Sequence, residues 1–143
     1  MKTPFVVTVL CLSALLSGCT NVTGDNLRMI SYTDQKTLSE DTLFTVANGF
    51  FTRAGYECDD QGGSVQLLCN KELRDLYIHQ TTAEVTISQG AGEEKDPDYV
   101  LATSRWDEGM IPSEFLSSRF SNEDVQAFCD YLAQETQAVC QEL

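Results

Sequence analysis

Four of the six cysteines constrain this chain more than any other feature. They fall into two pairs, Cys58 with Cys69 and Cys129 with Cys140, each eleven positions apart. In an exported chain an even number of half-cystines points to disulfides, and four cysteines allow three pairings. Cys58 and Cys69 flank Asp59-Asp60-Gln61-Gly62-Gly63-Ser64 symmetrically, and that segment has the chemistry of a turn. A hairpin centred on Gly63-Ser64 places Asp59 opposite Leu68 and Cys58 opposite Cys69. Opposed residues lie about 4.5–5.5 Å apart at Cα, within bridging range. Cys129 and Cys140 sit in a stretch of helical periodicity, where eleven residues of unbroken helix span about 16 Å. They can join only if the helix stops between Gln134 and Gln137 and Cys140 folds back. Crossed pairings would require two hairpin neighbours to reach points about 16 Å apart. The two local bridges are the expectation; a different hairpin register, or two free thiols, is the alternative. The close C-x-x-C spacing of zinc and redox sites is absent, so no metal or cofactor is expected.

The pattern between the cysteines predicts an α+β two-layer sandwich: an antiparallel sheet of four to five strands, an N-terminal helix and a C-terminal helix. Leu27–Tyr32 reads as a first strand. Ser39 is a plausible N-cap, with Glu40 and Asp41 in the first turn and Leu38 and Leu43 placed as a hydrophobic staple. Leu43, Ala47, Phe50, Phe51 and Ala54 recur at helical spacing, and Gly55 follows as a natural C′ residue. Extended runs then cover Tyr56–Cys58, Val65–Cys69, Leu73–His79, Ala83–Ser88 and Asp98–Trp106, joined by connections too short for helical crossovers. Gly90–Asp98 is a polar acidic loop without the spacing of a calcium-binding loop, and Ile111–Ser118 could hold a short helical turn. In the last helix Ser121 is the expected cap, with Asp124 at N3 and Phe120 and Val125 as the staple.

The first residues have a separate character. Met1-Lys2 is followed by an uncharged apolar run from Pro4 to Leu16, shorter than the roughly 20 residues a membrane-spanning helix needs. A basic start, a short apolar centre and small residues at the exit mark a secretory signal. The exit itself, Leu16-Ser17-Gly18-Cys19, resembles the lipobox of bacterial lipoprotein precursors. The resemblance covers residues 1–19. It implies diacylglycerol on the Cys19 sulfur, cleavage before Cys19 and acylation of the new amino terminus, with a membrane as partner through these chains. Thr20 is not the aspartate that favours inner-membrane retention in that family, so the resemblance leans to the outer membrane. Two or more acyl chains make such an attachment stable. Cys11 would leave with the signal. The expected organisation is a signal peptide over 1–18, a lipidated terminus and polar tether over 19–26, and one periplasm-facing domain over 27–143.

With 22 acidic against 9 basic residues, the formal charge is −13 at pH 7. Such a surface repels phosphate backbones, so nucleic acid is not an expected partner, whereas a basic protein is compatible. Catalytic signatures are scarce. His79 is the only histidine, and alternation with Tyr77 makes it an exposed or half-buried strand residue. There is no Gly-x-Ser-x-Gly elbow. The expectation is therefore a non-enzymatic envelope lipoprotein that binds another envelope protein as an accessory or assembly factor. The alternatives are an immunity lipoprotein acting against a toxin, and a small cell-wall or glycan hydrolase. The hydrolase would need two convergent carboxylates, or His79 beside a serine and an acid.

Overall fold

A computed structural model describes residues 19–32, 40–59, 65–90, 98–110 and 116–143. Among these, seven strands and two helices follow the order β1 (Cys19–Gly24), β2 (Arg28–Tyr32), α1 (Glu40–Arg53), β3 (Glu57–Asp59), β4 (Val65–Leu76), β5 (His79–Gln89), β6 (Tyr99–Gly109), α2 (Glu123–Glu135) and β7 (Ala138–Glu142). All pairings are antiparallel. The sheet runs β3-β4-β5-β6-β2-β7, with β1 also on β6.

The mixed class and the antiparallel sheet match expectation. The sheet is larger than four to five strands, and neither helix is terminal: β1 and β2 precede α1, and β7 follows α2. Of the two extra strands, β7 takes the end of the stretch of helical periodicity, and β1 comes from a segment whose composition hides it. Residues 20–26, expected as a tether, hold β1, which lies along β6 from Cys19 opposite Gly109 to Gly24 opposite Ser104. Beyond it, Asp25–Leu27 bulge against two residues of β6, and β2 continues along the same edge. The Asp25 amide donates to the Thr103 carbonyl at 3.0 Å. Buried Arg28 pairs with Asp25 at 3.4 Å and with Glu142 of β7 at 3.5 Å, pinning the bulge to the last strand.

One sheet face is apolar. Leu67, Cys69, Ala83, Val85, Ile87, Tyr99, Leu101, Ile30 and Ala138 share it by register and are buried. Leu43, Ala47 and Phe51 of α1, with Val125, Phe128 and Leu132 of α2, pack on this face. Phe51 is the hinge of the layer, with ring contacts to Phe50, Tyr56 and Phe128. Gly55 ends α1 with φ +92°, a conformation that favours glycine. The proposed cap Ser39 and staple residue Leu38 lie outside the described residues.

At α2 the cap is Asn122 rather than Ser121. Its side chain accepts from the Asp124 amide, and the shift by one residue puts Asp124 at N2 and dissolves the Phe120–Val125 staple. Asn122 wins because burial gives its amide two more partners: it donates to the Tyr56 hydroxyl and to Thr103 Oγ1, each at 3.0 Å. Asp124 pairs with Lys71 at 2.9 Å and accepts from the Tyr56 hydroxyl at 3.2 Å. Burial disfavours the Tyr56 phenolate; the Asn122 hydrogen bond opposes the rise and the Asp124 charge adds to it, so the pKa is pushed up to about 12.

Both local disulfides form. Cys58 and Cys69 are opposite one another, with Asp59 opposite Leu68, as the hairpin register requires. Cys129 joins Cys140 with the Cα atoms 5.6 Å apart. The helix ends at Glu135, Gln137 turns through φ +61°, and β7 brings Cys140 back beside α2.

Two outcomes follow from this packing. Replacing Cys129 and Cys140 together by serine is expected to cost about 2–3 kcal/mol, read as a lower urea midpoint under non-reducing conditions. Tyr56 holds its proton more tightly in the folded state. Its contribution is complete below about pH 10 and is lost as pH rises through about 12. Tyr56→Phe should flatten the alkaline limb of the stability profile.

Candidate functional site

The described helices pack on the aliphatic part of the apolar face. Beyond it the inward positions of the strands change from aliphatic to polar: Arg105 and Asp107 on β6, His79 and Thr81 on β5, and Arg74 on β4. With Leu73, Leu116 and Ser117 they line a pocket of about 330 Å³, within the range of small-ligand sites. Asp107, which lines it, is buried. Thr81 Oγ1 donates to Asp107 Oδ1 at 2.9 Å, and Arg105 Nε donates to Oδ2 at 2.8 Å. Arg105 also donates to the Ser117 carbonyl at 2.5 Å, which ties the covering segment to the sheet. Burial pushes the Asp107 carboxyl up. The hydrogen bonds from Arg105 and Thr81, the Arg105 charge and nearby His79 outweigh it, so the net shift is downward.

His79 is buried, not exposed or half-buried as the alternation suggested. The reason is the position of the turn. Leu73–His79 is not one strand: β4 ends at Leu76, Tyr77-Ile78 form a two-residue connection, and His79 opens β5 facing inward. Its Nε2 lies 3.6 Å from Asp107 Oδ1, and among the described residues neither ring nitrogen has a hydrogen-bond partner. Ser117 lines the same pocket, but its hydroxyl donates to the Arg119 carbonyl at 3.0 Å and accepts from the Arg119 amide at 3.2 Å. Acid, histidine and serine therefore share a pocket without the nucleophile–base hydrogen bond of a triad. The Asp107 carboxylate is already engaged by Arg105 and Thr81. Among the described residues, the arrangement positions charge.

Among the described residues, no helix packs on the opposite sheet face. Trp106 lies on it, opposite Val22 on one side and Thr82 on the other, and Thr86, Val100 and Ala102 extend the surface. All except Val22 are half-buried, while Val22 is 49 % exposed. Trp106 Nε1 donates to Ser104 Oγ at 3.1 Å, which holds the indole on this face.

Of the residues singled out from sequence, Cys58, Cys69, Cys129 and Cys140 form the two bridges, and none lines the pocket. The Cys19 backbone starts β1. Arg105, Asp107 and Trp106 were not foreseen as a site. The available signal was the phase of β6: Tyr99, Leu101 and Thr103 face inward, so Arg105 and Asp107 must also do so. Among the described residues there is no cluster of three or more metal-ligating side chains, and no helix long and apolar enough to cross a membrane. Comparison with family models, curated proteins and solved structures returned no match.

The Asp107 contacts set an acid response. Its folded pKa lies below the ordinary 3.8, so its ionised form stabilises the fold above that value and the contribution is lost as pH falls below it. Asp107→Asn should lower stability at neutral pH and weaken the acid-induced loss. Urea midpoints measured between about pH 6 and pH 3 would test both effects.

Proposed function

We propose that this chain is a lipid-anchored protein of the bacterial envelope that acts by binding another envelope protein, without catalysis. Residues 1–18 are the removed signal, Cys19 carries the lipid, and the sheet domain faces the periplasm from the outer membrane. The observation that carries the binding role is the sheet face around Trp106, on which no helix of the described residues packs. A sheet face that presents an indole beside aliphatic neighbours has the make-up of an interface hot spot. The net charge of −13 suits a basic partner. Two disulfides fit an oxidising compartment. The hydrolase alternative is weakened by the engagement of Asp107 with Arg105 and of the Ser117 hydroxyl with Arg119.

Crosslinking in intact cells, with Cys19→Ala as the unanchored control, tests the proposal. The expected result is one discrete adduct that falls by roughly tenfold or more in Trp106→Ala, the loss typical of a hot-spot aromatic. Recovery of no specific adduct, or an adduct indifferent to Trp106→Ala, would overturn it.

A further inference from the structure

The β4–β5 connection breaks the usual chemistry of a tight turn. Two-residue hairpin turns favour Gly, Asn and Asp, yet here the pair is Tyr77-Ile78 and neither residue has positive φ. Both side chains point to solvent: Tyr77 is fully exposed and Ile78 54 % exposed. Leu73 and Leu76 on the same hairpin are nearly half exposed, and Met110, just past β6, is 77 % exposed. The Met110 amide donates to the Ile78 carbonyl at 2.9 Å, so Met110 is held beside the turn at the same sheet end. Gly109 permits the approach. Its φ is +142°, and a Cβ there would collide with the Ile78 carbonyl oxygen and the His79 Cα. Nothing in the core requires such a tip, and a group of exposed apolar side chains at one sheet end marks a contact surface.

Its place in the sheet indicates what it contacts. Cys19 is opposite Gly109, and Gly109 is opposite His79. Two ladder spacings, about 10 Å, therefore separate the start of β1 from the start of β5 at the same sheet end. Because residues 19–24 are paired strand, no slack lies between Cys19 and the domain. An acyl group on Cys19 would draw this end, and with it the tip, onto the bilayer surface.

We infer that the Leu76-Tyr77-Ile78 turn and Met110 enter the membrane interface beside the acylated Cys19, as a second contact that sets the domain's orientation. This rests on the lipid-anchor reading above. Tyrosine with neighbouring aliphatic side chains suits the headgroup boundary. Asp75 and Glu108 flank the tip, so apolar insertion rather than attraction to anionic lipid provides the contact.

The test uses the full-length lipoprotein purified from membranes and reconstituted in phosphatidylcholine vesicles with brominated acyl chains. In a Trp106→Phe background, Tyr77→Trp reports the tip, and Gln89→Trp reports the other end of β5, about 33 Å away. The mass of the mature amino terminus is read on the same samples. The expected result is an acylated Cys19, a blue-shifted Tyr77→Trp emission quenched about twofold or more and insensitive to salt, and an unquenched Gln89→Trp. Adding Ile78→Asp should abolish the quenching. An acylated Cys19 with an unquenched tip would overturn this inference and leave the anchor standing. A mature protein without acyl chains would overturn the anchor and the inference together.

Discussion

Strand β6 is hydrogen-bonded along both edges. One edge takes β5 over its whole length, and the other takes β1 and then β2 across the Asp25–Leu27 bulge. Everything else is placed relative to this strand. Its inward residues Tyr99 and Leu101 form the floor under the helices, and Thr103 meets the cap of α2. Arg105 and Asp107 continue the same row beyond the helices and convert the floor into a polar pocket. Its outward residues carry Trp106 on the open face. One eleven-residue strand thus supplies parts of the core, the pocket and the proposed binding surface.

The disulfides do different work on either side of this frame. Cys58–Cys69 staples the short strand β3 to β4, its one partner among the described residues. Cys129–Cys140 links α2 to β7 and so clamps the helical layer onto the far edge of the sheet. Between them, the Tyr56–Asn122–Thr103 hydrogen bonds join the start of β3, the start of α2 and the middle of β6. These buried polar groups satisfy one another, which makes them stabilising where unpaired they would cost about 1–3 kcal/mol each.

Where residue chemistry and structure coincide, the sequence was legible. The turn residues between Cys58 and Cys69 announced the register, and the length of a helix forced a break before Cys140. The Phe-rich stripe of α1 read directly as core. Three features were hidden. Strand β1 is Cys-Thr-Asn-Val-Thr-Gly, too polar to signal a strand, because it is held by the backbone of β6 and not by a buried face. The Tyr77-Ile78 turn lacks any turn-forming residue, so the hydrophobic pattern ran through it and reversed the expected orientation of His79. The pocket was hidden because charged residues on a strand ordinarily read as solvent-facing; only the phase carried from Tyr99 to Asp107 places them inside.

The pairing of β1 with β6 also has a mechanical meaning. A pull on Cys19 along the strand axis, with the far end of the sheet held, loads the rungs from Cys19–Gly109 to Gly24–Ser104 side by side. That is a shear geometry, in which the rungs share the load and must fail together, whereas a perpendicular pull would unzip them one at a time. The chain therefore begins its described fold with a strand able to bear tension at its first residue.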